Sequence, residues 1–138
     1  MNTKRTALII KRDLPPGQIG NVCAILMAEI ARAVPEALAE TKVTDLDGLP
    51  HAAPQFSVVV LKANGSEQLQ NTAAAVRAGQ PELVVFGFGT VGQNLNNQFN
   101  IYREKISGLT TEGTGLVGIA ISGEDAAVRT VTKKFSVM

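Results

Sequence analysis

The chain has 138 residues, the size of one domain with a core of its own, and 45% apolar against 18% charged residues exclude a disordered, collagenous or coiled-coil chain. A single cysteine and a single histidine exclude an internal disulfide, a zinc finger and a Cys/His metal cluster. A net charge of +1 gives no global electrostatic case for nucleic acid, and 4% aromatic residues with no tryptophan leave few platforms for stacking bases.

The first element is a buried strand over residues 5–11, carried by Ala7-Leu8-Ile9-Ile10. The basic residues before this run give it the look of a signal peptide. It is short, however, ends at Lys11-Arg12-Asp13, and has no small-residue cleavage site. No segment reaches the ~18–20 apolar residues of a membrane span, so a cytoplasmic protein is expected. Asp13-Leu14-Pro15-Pro16-Gly17 must interrupt regular structure, because proline removes donors and restricts the residue before it.

A helix is expected from Gln18 to Val34, with Ile19, Val22, Cys23, Leu26, Met27, Ile30 and Val34 on one apolar face. Ile25 and Ala28 fall on the other side, so the helix is either covered by neighbouring elements or meets a second subunit through Ile25. Pro35 closes it, and residues 36–40 form at most a short turn. Val43 to Gly48 reads as a short strand or irregular excursion with an Asp-Gly turn, running on to Leu49-Pro50-His51.

Phe56 to Leu61 is a strand too continuously apolar to be an exposed edge. Ser66 caps a helix that carries Leu69, Ala73 and Val76 inward and ends at Gly79. Leu83 to Phe86 is another buried strand. A helix over residues 93–106 keeps Leu95, Phe99, Tyr102 and Ile106 at helical spacing, although its other faces are rich in asparagine, a poor helix former. After a loop over residues 107–113, Leu116 to Ile121 is the last core strand. Glu124-Asp125 open a C-terminal helix with the stripe Val128, Val131 and Phe135, and Lys133-Lys134 lie near its negative end. Strands alternating with helices imply an α/β domain with a mostly parallel or mixed sheet covered on both faces.

The candidate motifs are thin. Gly87-x-Gly89-x-x-Gly92 follows a strand, as a dinucleotide-binding turn would. Too little chain follows it for the rest of a Rossmann unit, and Glu112 stands where the ribose carboxylate would have to end a second strand. A tight strand-to-helix turn with positive φ accounts for the same glycines. His51 has no Gly-x-Ser-x-Gly partner and reads as a solvated loop histidine, and Cys23 on an apolar helix face reads as inert. Asp45-x-Asp47-Gly48 begins like a calcium loop, but Phe56 stands where the bidentate glutamate is needed, so a hairpin turn explains it. Lys4, Arg5, Lys11 and Arg12 alternate along a strand and need not form one patch.

Ligands of α/β sheets bind where strands hand over to helices. Two such handovers carry polar side chains: Asp13, Gln18 and Asn21 at one, Thr90, Gln93 and Asn94 at the other. Facing one cleft, they would supply hydrogen-bond donors and acceptors without a strong acid or base, which suits binding better than proton transfer. No cofactor is implied.

Ala7 to Leu14 followed by Gly17-Gln18-Ile19 resembles the start of the type II peptidyl-tRNA hydrolases, which begin with a hydrophobic strand, Arg-x-Asp-Leu, and Gly-Lys opening a helix. Val58 to Lys62, Ala78-Gly79, Leu116 to Ile119 and Val131-Thr132 fit the rest of that pattern. Leu14 to Gln18, Asn21, and Asp47-Gly48 with His51 resemble more closely an uncharacterised bacterial family of domains of unknown function with the same fold. The resemblance implies a three-layer α/β/α fold with a mixed sheet, and a homodimer. It also implies lost chemistry. Gln18 stands where the hydrolases keep lysine, Val22 and Ile25 where they keep glutamine and histidine, and Gly87 to Val91 lacks their aspartate and arginine. Without that cation, imidazole and carboxylate, ester hydrolysis loses its acid/base and electrostatic groups. The implied protein binds a small polar ligand or a protein partner; the alternative is a hydrolase or RNA-binding relative.

Overall fold

A computed structural model describes residues 3–138. In chain order the elements are β1 (Lys4–Lys11), α1 (Pro16–Ala33), a 3-10 turn (Pro35–Ala37), β2 (Val43–Thr44), β3 (Pro50–His51), β4 (Ser57–Ala63) and α2 (Ser66–Gly79). Then follow β5 (Val84–Gly89), α3 (Thr90–Asn94), α4 (Phe99–Ser107), a second 3-10 turn (Glu112–Thr114), β6 (Leu116–Glu124), α5 (Asp125–Thr132) and β7 (Ser136–Val137). The result is a mixed α/β arrangement.

Five strands form one sheet in the order β5-β6-β1-β4-β7, and β2-β3 form a separate hairpin. Only β1 and β4 run parallel, with Leu8 opposite Val60; β6 lies antiparallel to β1 with Leu8 opposite Ala120. The alternation of a strand explains how β1 is buried on both sides. Ala7 and Ile9 join Leu69, Val76 and Val128 in a core shared with α2 and α5, whereas Leu8 and Ile10 join Val22, Leu26 and Ile30 of α1. Thr6 continues the second set, and its hydroxyl meets that of Ser122 at 2.9 Å with both residues buried. Ile25 packs against the α1 core of its own chain.

Several elements differ from the sequence reading. The helix expected over 93–106 is two helices, broken by a turn at residues 95–98 where the asparagines cluster. Those side chains compete with the helix for backbone hydrogen bonds. The C-terminal helix stops at Thr132. Phe135 is buried outside it, and β7 pairs with Leu61 and Lys62 of β4. That pairing covers only the end of β4: Val58 is 41% exposed, so the first half of this strand is not the interior strand its composition suggests. Ser66 is the first helical residue of α2, with Gly65 in the capping position and no side-chain cap.

The glycine motif differs most. β5 continues through Gly87-Phe88-Gly89, with Gly87 opposite Ile119 and an irregularity in register between Phe88 and Gly89. Gly89 has φ −129, an extended conformation open to any residue, and only Gly48 and Gly115 have positive φ among the described residues. Close approach is what requires glycine here. A Cβ on Gly89 would lie 2.2 Å from the Thr114 carbonyl oxygen, and one on Gly92 would lie 2.4 Å from the Phe88 ring. The backbone of Thr114 and Gly115 lies against Gly89, and the Thr90 N–H already donates to the Gly115 carbonyl, so close packing accounts for the glycine at 89 without a pyrophosphate.

Candidate functional site

The two handovers come together. Pro15 and Pro16 set the start of α1, where the Gln18 and Ile19 N–H groups both donate to the Pro15 carbonyl at 2.9 and 3.0 Å. This first turn projects Gln18 outward. Across the sheet end, β5 hands over to α3, which is fastened by the Thr90 N–H donating to the Gly115 carbonyl at 2.9 Å. Gln93 Nε2 donates to Gln18 Oε1 at 3.4 Å, joining residues 75 positions apart. That long, exposed bond is the point where the two segments meet.

The other candidate residues divide. Thr90 acts as an anchor: a Cβ on Gly115 would lie 2.4 Å from its hydroxyl oxygen, so the threonine side chain occupies the space that this left-handed glycine leaves open. Asp13 turns to Lys11, with Oδ1 3.8 Å from Nζ. Asn21 and Asn94 are exposed, and neither side chain hydrogen-bonds another described residue. The junction thus offers neutral carboxamides that can donate and accept in parallel.

The remaining candidates for chemistry are placed as follows. His51 is solvent-exposed as expected, but it lies in the β2–β3 hairpin opposite Val43 and not in a loop, and its Nε2–H donates to Asp45 Oδ2 at 2.8 Å. Asp45 Oδ1 also accepts from the Asp47 and Leu49 N–H groups at 2.9 and 3.0 Å. These bonds, the imidazole first, hold the Asp45 carboxyl below its usual 3.8. The aspartate therefore organises a turn with Gly48 at φ 88, as expected from the Asp-Gly signal. Burial pushes the Cys23 thiol up, which favours its protonated form. The basic residues of β1 and Arg12 just after it are dispersed: Lys4 Nζ is 3.0 Å from Glu36, Arg5 3.9 Å from Asp125, and Arg12 donates to Asn64 at 3.5 Å. Among the described residues no group of three His, Cys, Asp or Glu side chains could hold a metal ion, and no helix is long and apolar enough to cross a membrane.

Two cavities that sequence reasoning missed flank the β5 edge. One, of about 420 Å³, lies between α2, β5, α4 and the segment leading into β6, with Arg77 and Tyr102 in its wall. The other, of about 320 Å³, is lined by Ile25, Glu29, Phe86, Phe88 and the same Tyr102. The one tyrosine of the chain was a possible signal, but its helical spacing with Phe99 and Ile106 made it read as core.

The sequence finds no match among curated proteins. Its fold is similar to the solved structure of a protein of unknown function from Agrobacterium tumefaciens strain C58, with a TM-score of 0.85 and 20% identity over 100% of this chain and 99% of that one. At that identity the likeness concerns the fold alone. A family model described as "Protein of unknown function (DUF2000)" matches residues 4–138. The chain therefore belongs to the DUF2000 family.

Proposed function

We propose that this is a binding domain and not a hydrolase, and that its ligand is a small polar molecule held at the junction of α1 and α3. The observation that carries this reading is the 3.4 Å Gln93–Gln18 bond. A bond that long and exposed is weak, so a ligand with adjacent donor and acceptor groups can replace it with two better ones. Gln18 and Gln93 make those contacts; Asn21 and Asn94, Asp13 and Thr90 line the approach. The residues at the hydrolase-like positions support binding over cleavage, since Gln18, Val22 and Ile25 offer neither cation nor imidazole. In the same reading the domain is a three-layer α/β/α relative of the type II peptidyl-tRNA hydrolases, and a bacterial cytoplasmic protein.

The test is an NMR titration of labelled protein with a capped dipeptide amide and with uridine, read at the Gln18 and Gln93 side-chain amides. Saturable shifts that disappear in both Gln18→Ala and Gln93→Ala are expected from at least one probe, together with no turnover of peptidyl-tRNA. Robust peptidyl-tRNA cleavage, abolished by Gln18→Ala or Asp13→Ala, would replace this reading with the hydrolase one.

A homodimer belongs to the same proposal. It is favoured by the β2–β3 arm, which carries Val43, Leu46 and Leu49 at 49%, 106% and 60% exposure beside Leu38 at 44%. Apolar side chains concentrated on one projecting arm are suited to a partner. Sedimentation should give a dimer that Leu46→Glu/Leu49→Glu converts to monomer; a monomeric parent protein excludes this element.

A further inference from the structure

The cavity between α2, β5 and α4 combines features that the Gln18–Gln93 junction lacks. Its volume of about 420 Å³ is within the range of small-molecule sites, roughly 300–1,000 Å³. Val85, Ile106, Leu116 and Ile119 give it apolar walls from β5, α4 and β6. Among the described residues, Arg77, in the last turn of α2, is the only charged one in the lining, to which they contribute no aspartate or glutamate. Its guanidinium has no ion-pair or hydrogen-bond partner among the described residues. A cation with unused planar donors at the rim of an apolar pocket is complementary to one class of ligand: an anionic head on an apolar body.

We propose that this cavity is a binding site for a small amphipathic carboxylate, with the Arg77 guanidinium taking the carboxylate and Val85, Ile106 and Leu116 taking the hydrocarbon. A carboxylate matches the guanidinium fork with two parallel bonds, and its single charge lets the adjoining carbon chain enter the pocket without dragging a large hydration shell. Tyr102 also stands in the wall, shared with the neighbouring cavity. Burial, and after it the Glu29 carboxylate, raise its phenol, so the hydroxyl keeps its proton at neutral pH. The site is separate from the glutamine junction and independent of it.

Hexanoate is the probe, titrated into labelled full-length protein and followed at the Gly87 and Gly89 amides, whose residues line the cavity. Saturable shifts are expected at these positions, with hexanol and inorganic phosphate each binding at least tenfold more weakly. Arg77→Gln should weaken hexanoate at least tenfold while leaving the protein's own spectrum intact, because the residue is exposed and unpaired. Arg103→Gln, which removes a cation stacked 5.6 Å from the Phe99 ring, should leave hexanoate binding unchanged. Absence of shifts at millimolar hexanoate would overturn the proposal. So would equal binding of hexanol, equal binding of phosphate, or equal affinity in Arg77→Gln.

Discussion

Gly89→Ala tests whether the Gly87-x-Gly89-x-x-Gly92 motif is there for packing. A Cβ on Gly89 would meet the Thr114 carbonyl oxygen at 2.2 Å and the Gly115 carbonyl carbon and oxygen at 3.0 Å. These are backbone atoms, so relief requires the turn before β6 to move by more than an ångström. Overpacking of this kind costs typically about 1–3 kcal/mol. The same movement disturbs the 2.9 Å bond from the Thr90 N–H to the Gly115 carbonyl, worth a further ~1 kcal/mol. The expected loss is therefore about 2–4 kcal/mol, or a fall of roughly 1–2 M in the urea midpoint at an m-value of about 2 kcal/mol per M. Gly20→Ala is the matched control: it lies within α1, nothing stands within 4 Å of its new Cβ, and helix propensity alone should stabilise the protein by about 0.5–1 kcal/mol. Equilibrium urea unfolding of the two variants against the parent reads both signs. A Gly89→Ala protein within 0.5 kcal/mol of the parent, on the usual scatter of neutral substitutions, would refute the packing account and reopen a ligand role for the motif.

The buried Thr6–Ser122 pair should be strongly non-additive. Thr6→Val and Ser122→Ala each strand a hydroxyl and should cost about 1–3 kcal/mol, whereas the double variant should cost less than their sum by about 1 kcal/mol or more; additive losses in urea unfolding would mean the pair is not coupled. Asp45 should titrate below 3.8 by carboxyl NMR and move up toward it in His51→Ala, since the imidazole is the first cause of the shift. Because the folded value is the lower one, the turn's stabilisation is complete above the ordinary carboxylate value and is lost as pH falls through the folded value. Faster Leu49 amide exchange below pH 3.8 in the parent, absent in Asp45→Asn, checks that sign. Phe135→Ala should cost about 3 kcal/mol in thermal or urea unfolding, because the ring is buried between α5 and β7 positions and not displayed on a frayed helix end.

Much of the fold is legible in local pattern. The apolar runs of β1 and β6, the 3.6-residue spacing of α1 and the Asp-Gly signal of the β2–β3 turn are each decided by neighbours in sequence, so they could be read without coordinates. Two polar turns could likewise be named as meeting, since both sit where strands hand over to helices, and Gln18 does reach Gln93. Other features depend on distant partners. Glycine at position 89 is explained by the carbonyl of Thr114, and the end of the last helix by β4 offering Leu61 and Lys62 to β7.

Composition and alternation by themselves determined a mixed α/β chain whose one cysteine and one histidine are too few for a Cys/His metal cluster. Only the tertiary structure decided where chemistry could sit. Arg77 and Tyr102 lie in different helices, and nothing in their own segments marks either as more than a surface arginine and a core aromatic. They share a cavity because α2 and α4 converge on the edge of β5, and such convergence is a property of packing between elements that local sequence does not carry.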